Sequence, residues 1–487
     1  MLTLPRELHV LPHEGLSPAE QSLALTLQGL RNAKGPTVLL RTGPGSFGRI
    51  LEAELRRKGV RFIEAATVWE LLGRFRESVA GGVRFRLGTP SVNVATTLCG
   101  PLTAVAVEDS LVERFEREGF RIVRDVRDWD DRRALKEFGN RRTQGMAVEQ
   151  VIDKPGHLRD FAVAHHAFTF AAGKDHAFRQ EVARTCGPNA LVYGWGPDEF
   201  EWVRDLSRAN ATGVPADWAL NLSLYEKLPA PPLRRPGRPA LPDEDNVHYL
   251  AFVLSDGDNI QWLTGGFVDD TKYWAGSLRG TFPMTWEVAP ILATVAPQVL
   301  AHLYATARPT DGFVTGAGLL GYTYPHFQPD RVALARQAEP FLTKADLPFI
   351  SVLNANEGNP EDVAALLALK NVDGCLYKDY APYHRQKGRI TWLHGKPCIA
   401  YRGLLWDGLM SPEEAARMVS ELPRRPMRDP DSYTVINVHA WSYGSSGGPL
   451  DAVRRTIERL PPEVRIVTAD QILTALRRRF GGRPRVS

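Results

Sequence analysis

The pattern of apolar and polar residues is most informative near residue 250. Six mostly apolar residues, Tyr249–Leu254, run directly into the polar stretch Ser-Asp-Gly-Asp-Asn at 255–259. An apolar run of this length predicts a strand that is buried on both faces, as in α/β folds. The plainer alternative is that Asp256 and Asp258 only shape a turn, since Asp, Asn and Gly are ordinary turn residues. If they do more than shape a turn, the pattern predicts that Asp256 and Asp258 present polar groups of a functional site at the carboxyl edge of a parallel sheet.

The rest of the C-terminal half repeats this alternation of strand and helix. Pro360 and a capping box that begins at Ser411 predict the starts of two intervening helices. Seven or eight strands, each followed by a helix, favour a (β/α)7–8 barrel over an open sheet. The predicted strands are 249–255, 282–286, 312–315, 348–353, 373–377, 397–402, 432–438 and 464–468.

The N-terminal half also alternates helices with strands. A capping box over Ser17–Glu20, with Pro18 at the first helical position, predicts the first helix. The resulting βα repeat predicts an α/β domain with a mainly parallel sheet. The predicted strands are 37–40, 61–63, 92–95, 102–107 and 121–123, and the helices lie near 47–58, 68–78 and 110–118. The turn at 43–48 matches G-x-G-x-x-G, but Pro44 removes an N–H from the phosphate loop, so we expect no nucleotide there.

A proline-rich segment separates the two halves. Six prolines lie between Pro229 and Pro242, a density that is incompatible with a helix interior or a sheet. We therefore predict an N-terminal α/β domain at residues 1–228, which can divide near residue 130, a linker at 229–245, and a barrel-like domain at 246–487.

Composition and charge exclude several classes of protein. The 487 residues are 43% hydrophobic and 24% charged, which is ordinary for a globular protein of two or three domains. The net charge of +4 is too small and too evenly mixed to indicate nucleic-acid binding. The four cysteines form no C-x-x-C pair, and no segment approaches the roughly 18 apolar residues of a membrane span. With no signal peptide visible, we expect a soluble cytoplasmic protein; export and the oligomeric state are left open.

The ends of the predicted strands carry many carboxylates, amides and aromatic rings. In a barrel these side chains face one site. Aromatic rings stack on sugar rings, polar side chains bind the hydroxyls, and glycoside hydrolysis needs two carboxylates, so we predict a carbohydrate substrate and no cofactor. One catalytic group is expected from Asp256 or Asp258, and the other from Glu287 or Glu357. The substrate-binding candidates are Asn259, Trp262, Tyr322, Tyr324, Asn354, Lys378, Asp379, Tyr401, His439 and Trp441.

Two other functions fit the same strand ends. In the first, Asp256, Asp258 and His439 hold one divalent metal ion that activates water, as in a polysaccharide deacetylase. No H-x-x-x-H helix supplies a second histidine for such a site. In the second, the aromatic residues bind glycans on a scaffold that has no catalytic activity.

The segment at 318–325, Gly-Leu-Leu-Gly-Tyr-Thr-Tyr-Pro, resembles the motif of the bacterial family named GxGYxYP, whose members are described as candidate glycoside hydrolases. Leu319 stands where the motif has its first glycine. The resemblance implies an α/β N-terminal domain and a barrel-like hydrolase domain, and it assigns no catalytic pair. Other segments that look like the family are Thr26–Leu30, Asn221–Ser223, Ser255–Trp262 and Asn437–His439.

Overall fold

The structure is a computed structural model, and it describes residues 2–139 and 143–481.

The first helix begins where the sequence places its cap. The Ser17 side chain accepts a hydrogen bond from the N–H of Glu20, the Glu20 side chain accepts one from the N–H of Ser17, and helix α1 covers Pro18–Asn32. Because this reciprocal cap satisfies two free N–H groups, the helix start is determined locally.

The chain divides into two units. The first consists of Met1–Pro231, Ile260–Gly266 and Thr294–Val299, and the second consists of Pro232–Asn259, Phe267–Ala293 and Leu300–Ser487. The break between Pro231 and Pro232 falls inside the proline-rich segment, which contains no helix or strand between residues 229 and 247. The predicted further break near residue 130 stays a prediction.

The first unit is built from short strands and helices in alternation. Its strands are β1 (Glu7–Pro12), β2 (Val38–Arg41), β3 (Arg61–Glu64), β4 (Gly81–Phe85), β5 (Ala104–Glu108), β6 (Ile122–Asp125), β7 (Met146–Glu149), β8 (Phe168–Phe170), β9 (Leu191–Gly194) and β10 (Thr212–Pro215). Its helices after α1 are α2 (Phe47–Arg57), α3 (Val68–Arg74), α4 (Ser91–Leu102), α5 (Val112–Arg117), α6 (Asp131–Phe138), α7 (Arg159–Ala164), α8 (His176–Thr185), α9 (Glu199–Arg208), α10 (Leu222–Tyr225) and α11 (Ile260–Thr264).

Within the described residues, the strands of this unit form three separate parallel sheets. Their strand orders are β2-β1-β3, β5-β4-β6 and β10-β9-β7-β8. The mainly parallel α/β character predicted for the N-terminal half is confirmed. The single continuous sheet implied by the repeat is replaced by three small ones.

One predicted strand of this unit is wrong. Residues 92–95 are helical and lie inside α4, where every residue from Ser91 to Gly100 is buried. Val92 and Val94 favour a strand locally, but a buried helix can also carry β-branched residues. Periodicity alone cannot separate a buried helix from a buried strand, and packing decides between them here.

The second unit also consists mainly of parallel strands and helices. Its strands are β11 (His248–Leu254), β12 (Met284–Val288), β13 (Asp311–Thr315), β14 (Phe349–Asn354), β15 (Gly374–Asp379), β16 (Ile390–Leu393), β17 (Lys396–Ala400), β18 (Gly403–Leu405), β19 (Tyr433–Val438) and β20 (Val464–Ile466). Its helices are α14 (Arg331–Ala345), α15 (Ala364–Leu367), α16 (Pro412–Ser420), α17 (Pro449–Ile457) and α18 (Ala469–Phe480), whereas α12 (Leu292–Val295) and α13 (Pro297–Ala305) each have residues assigned to both units.

Strand β11 is central to this unit. All seven of its residues are buried, as its apolar run predicts. It pairs with β12 on one side and with β19 on the other. Tyr249, Ala251 and Val253 belong to a core cluster that includes Leu473 and Leu476 of α18. The alternate residues are buried too, so both faces of the strand are covered.

Among the described residues, the strands of the second unit form two sheets. One has the order β13-β12-β11-β19-β18, with β20 paired to β11, and the other has the order β14-β15-β17-β16. Only the β16–β17 pair is antiparallel. The mostly parallel arrangement is therefore confirmed, whereas the closed barrel stays a prediction because the two sheets are hydrogen-bonded separately. No described helix is long and apolar enough to cross a membrane.

Candidate active site

The turn after β11 places Asp256 at the carboxyl edge of the sheet. Asp256 has a left-handed backbone with φ of 69°. At Gly257 the backbone passes so close to β12 that a Cβ atom would lie 1.8 Å from the carbonyl oxygen of Glu287. Only glycine allows this approach, so the Asp-Gly sequence brings the ends of β11 and β12 together.

Asp256 lies beside the end of β19. Its Oδ2 accepts hydrogen bonds from the Ser255 hydroxyl and, at 3.4 Å, from the N–H of Ala440. His439 Nε2 lies 3.9 Å from the same oxygen. The side chains of Asp256 and His439 are 21% and 17% exposed. Both groups are therefore held in place by protein contacts while remaining accessible.

Glu287 of β12 has a fully buried carboxyl group. Its Oε1 accepts hydrogen bonds from the Ser351 hydroxyl at 2.7 Å and from Lys378 Nζ at 3.4 Å. Its Oε2 is buried and has no hydrogen-bond partner among the described residues. Burial raises the pKa of Glu287, and the negative charge of Asp256 adds to this effect, whereas Lys378 and Ser351 oppose it. A raised pKa favours the protonated carboxyl.

Lys378 and Tyr401 complete the surroundings of Glu287. The Lys378 and Glu287 side chains are 4% and 0% exposed, so this ion pair is shielded from water. The Tyr401 hydroxyl lies 3.5 Å from Ser351 Oγ, and Lys378 Nζ lies 5.6 Å from the centre of the Tyr401 ring. Burial, reinforced by the charge of Glu287, raises the pKa of Tyr401 well above its usual value.

His439 is stacked on an aromatic ring. The rings of His439 and Trp406 are nearly parallel, at 4°, with centres 3.6 Å apart. Burial lowers the pKa of His439; the charge of Lys378 also lowers it, while Asp256 opposes the change. The Trp406 ring also begins a row of aromatic rings. Their successive centres are 5.4–6.0 Å apart, in the order Trp406, Tyr383, Tyr380, Tyr324 and Tyr322.

Comparison with known proteins identifies the family. The model described as "GxGYxYP putative glycoside hydrolase C-terminal domain" matches residues 246–477, and the model described as "GxGYxYP third domain" matches residues 144–226. The chain belongs to the GxGYxYP family. It is also similar, with a TM-score of 0.88 and 25% identity, to a crystal structure from Bacteroides thetaiotaomicron VPI-5482 described as a putative hydrolase. That match covers 98% of this chain and 96% of the other. No curated protein matches the chain.

This chain departs from the GxGYxYP motif at one position. Leu319, which stands at the first motif glycine, has φ of 90°, a conformation that glycine adopts readily and leucine rarely. Its side chain is fully buried. Tyr322 and Tyr324 of the motif are also buried, and their rings meet edge to face with centres 5.6 Å apart. The loop therefore keeps a glycine-type backbone although the glycine is absent.

Two predicted substrate-binding residues of this GxGYxYP protein are engaged within the protein. The Asn354 side chain donates to Asp362 at 2.9 Å and to the Tyr377 hydroxyl at 3.2 Å. Asp379 accepts from the Tyr377 hydroxyl and from Arg385, both at 2.9 Å. Asn354 and Asp379 are fully buried, and their observed contacts hold the loops that follow β14 and β15.

The other predicted residues have no contact with the Asp256 or Glu287 carboxyl group among the described contacts. Glu357 is exposed, and within the described part of the chain it forms no ion pair. Asp258 is buried next to the turn, and Asn259 hydrogen-bonds back to the Asp256 carbonyl. Trp262 lies on α11, which is assigned to the first unit. Trp441 is 50% exposed.

The geometry gives little support to the alternative metal site. Over the described ranges, no group of three or more His, Cys, Asp or Glu side chains is arranged so that it could hold a metal ion. Asp256, Asp258 and His439 are therefore not gathered as ligands, and the metal-dependent alternative stays an untested prediction.

Sequence reasoning missed two residues that shape the site. Ser351, which donates to Glu287, is a single small polar residue inside the apolar strand β14. That isolated hydroxyl was the only signal available. Tyr273 donates to the Ala440 carbonyl at 2.8 Å, and burial, with added effects of Asp270 and Asp256, raises its pKa to about 12. Nothing in the sequence near Tyr273 indicates this contact.

Proposed function

We propose that this protein hydrolyses glycosidic bonds, with Glu287 as the general acid and Asp256 as the second carboxylate. The observation that carries the proposal is the state of Glu287, a buried carboxyl group with a raised pKa and one oxygen without a partner. The family description and the hydrolase neighbour agree with this reaction class.

The contacts of Glu287 determine where its proton would reside. Ser351 and Lys378 both donate to Oε1, so that oxygen is occupied as an acceptor. The proton of the neutral acid therefore belongs on Oε2, which has no partner in the described residues. Glycosidases need one carboxyl group that stays protonated near neutral pH, and burial is a common way to achieve this.

Asp256 suits the complementary role. Its Oδ2 accepts hydrogen bonds from Ser255 and the Ala440 N–H, so the carboxylate is held in a defined position at the end of β11. The charge of Asp256 also raises the pKa of Glu287, which means that the two groups act on one another. The reaction requires two carboxyl groups on either side of the glycosidic bond, one of which supplies a proton.

The proposed reaction requires Glu287 Oε2, which is buried in this structure, to become accessible to the bound sugar. Its proton then moves to the glycosidic oxygen as the bond from that oxygen to the anomeric carbon breaks. Asp256 either attacks that carbon to form a glycosyl-enzyme, which a water deprotonated by Glu287 then hydrolyses with net retention, or removes a proton from a water that attacks the carbon directly, which gives inversion. We propose that the two sheets of the second unit form the barrel-like frame for this site. The partly exposed rings of the aromatic row, Trp406, Tyr383 and Tyr380, would supply stacking surfaces for the sugar.

A panel of aryl glycosides and polysaccharides tests the proposal. We expect turnover by the wild type and a loss of at least about 100-fold in Glu287→Gln and in Asp256→Asn, since general acid–base groups contribute about 10²–10⁴-fold. Glu458→Gln, on an exposed carboxylate after α17, is the matched control and should retain full activity. NMR of the first anomer released distinguishes retention from inversion.

Several results would overturn this assignment. Full activity of Glu287→Gln together with an inactive Glu357→Gln would move the acid to the exposed loop. Activity that disappears on chelation and returns with a divalent metal would favour the deacetylase alternative. A wild type that binds glycans but turns over nothing in the panel would favour the non-catalytic one.

A further inference from the structure

We propose that the first unit contains a second ligand site, a pocket that binds the ring of a small uncharged sugar. The pocket lies within residues 90–197, so its existence does not depend on the hydrolase proposed for the second unit. Its volume is about 310 Å³, within the range typical of small-molecule sites. It is lined by Pro90, Glu149, Val151, Ile152, Asp153, Ala171, Gly173, Trp195 and Pro197.

The pocket occupies the position at which parallel α/β sheets bind ligands. In the sheet β10-β9-β7-β8, strand β7 pairs with β8 on one side and with β9 on the other. The strand order thus reverses at β7, and the loops after β7, β8 and β9 part at the carboxyl edge. Such a reversal creates a crevice, and open α/β sheets bind ligands there. Most of the lining residues lie at these three strand ends.

The aromatic wall of the pocket is fixed by buried contacts. The Trp195 ring packs on Trp202 with centres 4.9 Å apart, and Trp202 Nε1 donates to Glu149 Oε2 at 2.9 Å. The N–H of Trp195 donates to the Glu149 carbonyl at 3.2 Å. At Gly194 a Cβ atom would lie 1.8 Å from that carbonyl oxygen, so glycine is needed to bring Trp195 to the edge of β7. The ring is therefore in place before any ligand arrives.

The charges around the pocket favour a neutral ligand that carries hydroxyl groups. Glu149 is buried and already paired with Arg179 at 2.9 Å, so the floor presents no free charge. Asp153 is exposed at the pocket and offers carboxylate oxygens, which accept hydrogen bonds and repel anions. A sugar ring presents C–H groups to the Trp195 face and hydroxyl donors to Asp153. This combination indicates a carbohydrate rather than a phosphate or a carboxylic acid.

Fluorine NMR of the full chain labelled with 5-fluorotryptophan tests the site. The Trp195 resonance is assigned from Trp195→Phe and, independently, from Trp195→Tyr. The probes are the methyl glycosides of glucose, galactose and mannose, and N-acetylglucosamine. We expect at least one of them to shift the Trp195 resonance saturably. Asp153→Asn, a surface change, should weaken that binding about tenfold, as expected for loss of one hydrogen bond to a charged group.

The controls separate this proposal from the hydrolase. Glu287→Gln should give the same Trp195 shift as the wild type, because that residue lies in the other unit. Trp218, which is 56% exposed in the first unit, should not move in the same titration. The proposal is wrong if none of the four sugars shifts Trp195, or if Trp195 and Trp218 shift alike. A response to tetramethylammonium alone would replace the sugar with a cationic ligand.

Discussion

The buried ion pair between Lys378 and Glu287 gives the sharpest test of the site's electrostatics. Their Nζ and Oε1 atoms are 3.4 Å apart, and both side chains are shielded from water. At an effective dielectric constant of about 20, this separation corresponds to an attraction of about 5 kcal/mol. Removing one member of a buried pair commonly costs about 3–5 kcal/mol, because the other charge is left without compensation. Lys378→Met should therefore destabilise the second unit strongly at pH values above the folded pKa of Glu287, where the carboxyl group is ionised, and much less below it, where the group is neutral.

The loss should depend on pH in a defined direction. The pKa of Glu287 in the folded protein lies above its ordinary value of 4.5, so protonation of this carboxyl group favours the folded state. The resulting contribution to stability is fully present below pH 4.5 and is lost as the pH rises through the folded pKa. Because Lys378 lowers the pKa of Glu287, Lys378→Met should raise that pKa further and extend the pH range over which this contribution to stability is lost. The difference from wild type should be small at pH 5 and grow by up to about 1.4 kcal/mol per pH unit until the variant's carboxyl group ionises.

Calorimetry at pH 5, 6.5 and 8 measures the melting temperatures of the wild type and Lys378→Met. Hydrogen exchange in β12 and β15 shows whether the loss of stability lies in these strands. Adding Glu287→Gln to Lys378→Met should restore most of the stability at pH 8, since no charge remains to be compensated. Lys396→Met is the matched control, because buried Lys396 donates to the main-chain carbonyl of Leu369. Equal losses at pH 5 and pH 8, or no recovery in the double variant, would refute the reasoning.

Three further variants test individual features of the second unit. Leu319→Gly should be more stable than Leu319→Ala by about 1–2 kcal/mol in chemical denaturation, because only glycine fits φ of 90° without strain; the usual order, with alanine more stable, would contradict this. Trp406→Ala should raise the pKa of His439 towards its ordinary value of 6.5, since burial lowers it now; NMR titration of the imidazole measures the change, and an unchanged pKa would remove the stacked ring as the source of burial. Asn354→Ala should lower the unfolding free energy by about 1–3 kcal/mol through its lost hydrogen bonds; a normal stability with a raised KM would instead return Asn354 to substrate binding.

Local chemistry was enough to predict many of the elements. The capping boxes at Ser17 and Ser411 both form, and both have Pro at the start of their helices. The apolar run before Asp256 is the buried strand β11. These features were readable because a cap involves residues three apart in sequence, and because a strand buried on both faces must be apolar throughout.

Features that depend on distant neighbours were not readable. Residues 92–95 have the composition of a strand, yet they lie inside the buried helix α4, which composition and periodicity do not distinguish from a buried strand. The short strands β16 and β18 also escaped prediction, since three or four residues carry too little pattern. The closed barrel remains a prediction for a related reason, because strand pairing between sheets is decided by register and not by local composition.

The sequence by itself determined the kind of residues at the strand ends and the family motif, because side-chain type and spacing suffice for both. The tertiary structure decided which of them share a microenvironment. Glu287 acquires its raised pKa from burial, which outweighs the opposing contacts with Ser351 and Lys378, 64 and 91 residues away. Asn354, equally polar and also at a strand end, is occupied by internal hydrogen bonds. Burial and charge act through space, so only the folded chain distinguishes a reactive carboxyl group from a structural amide.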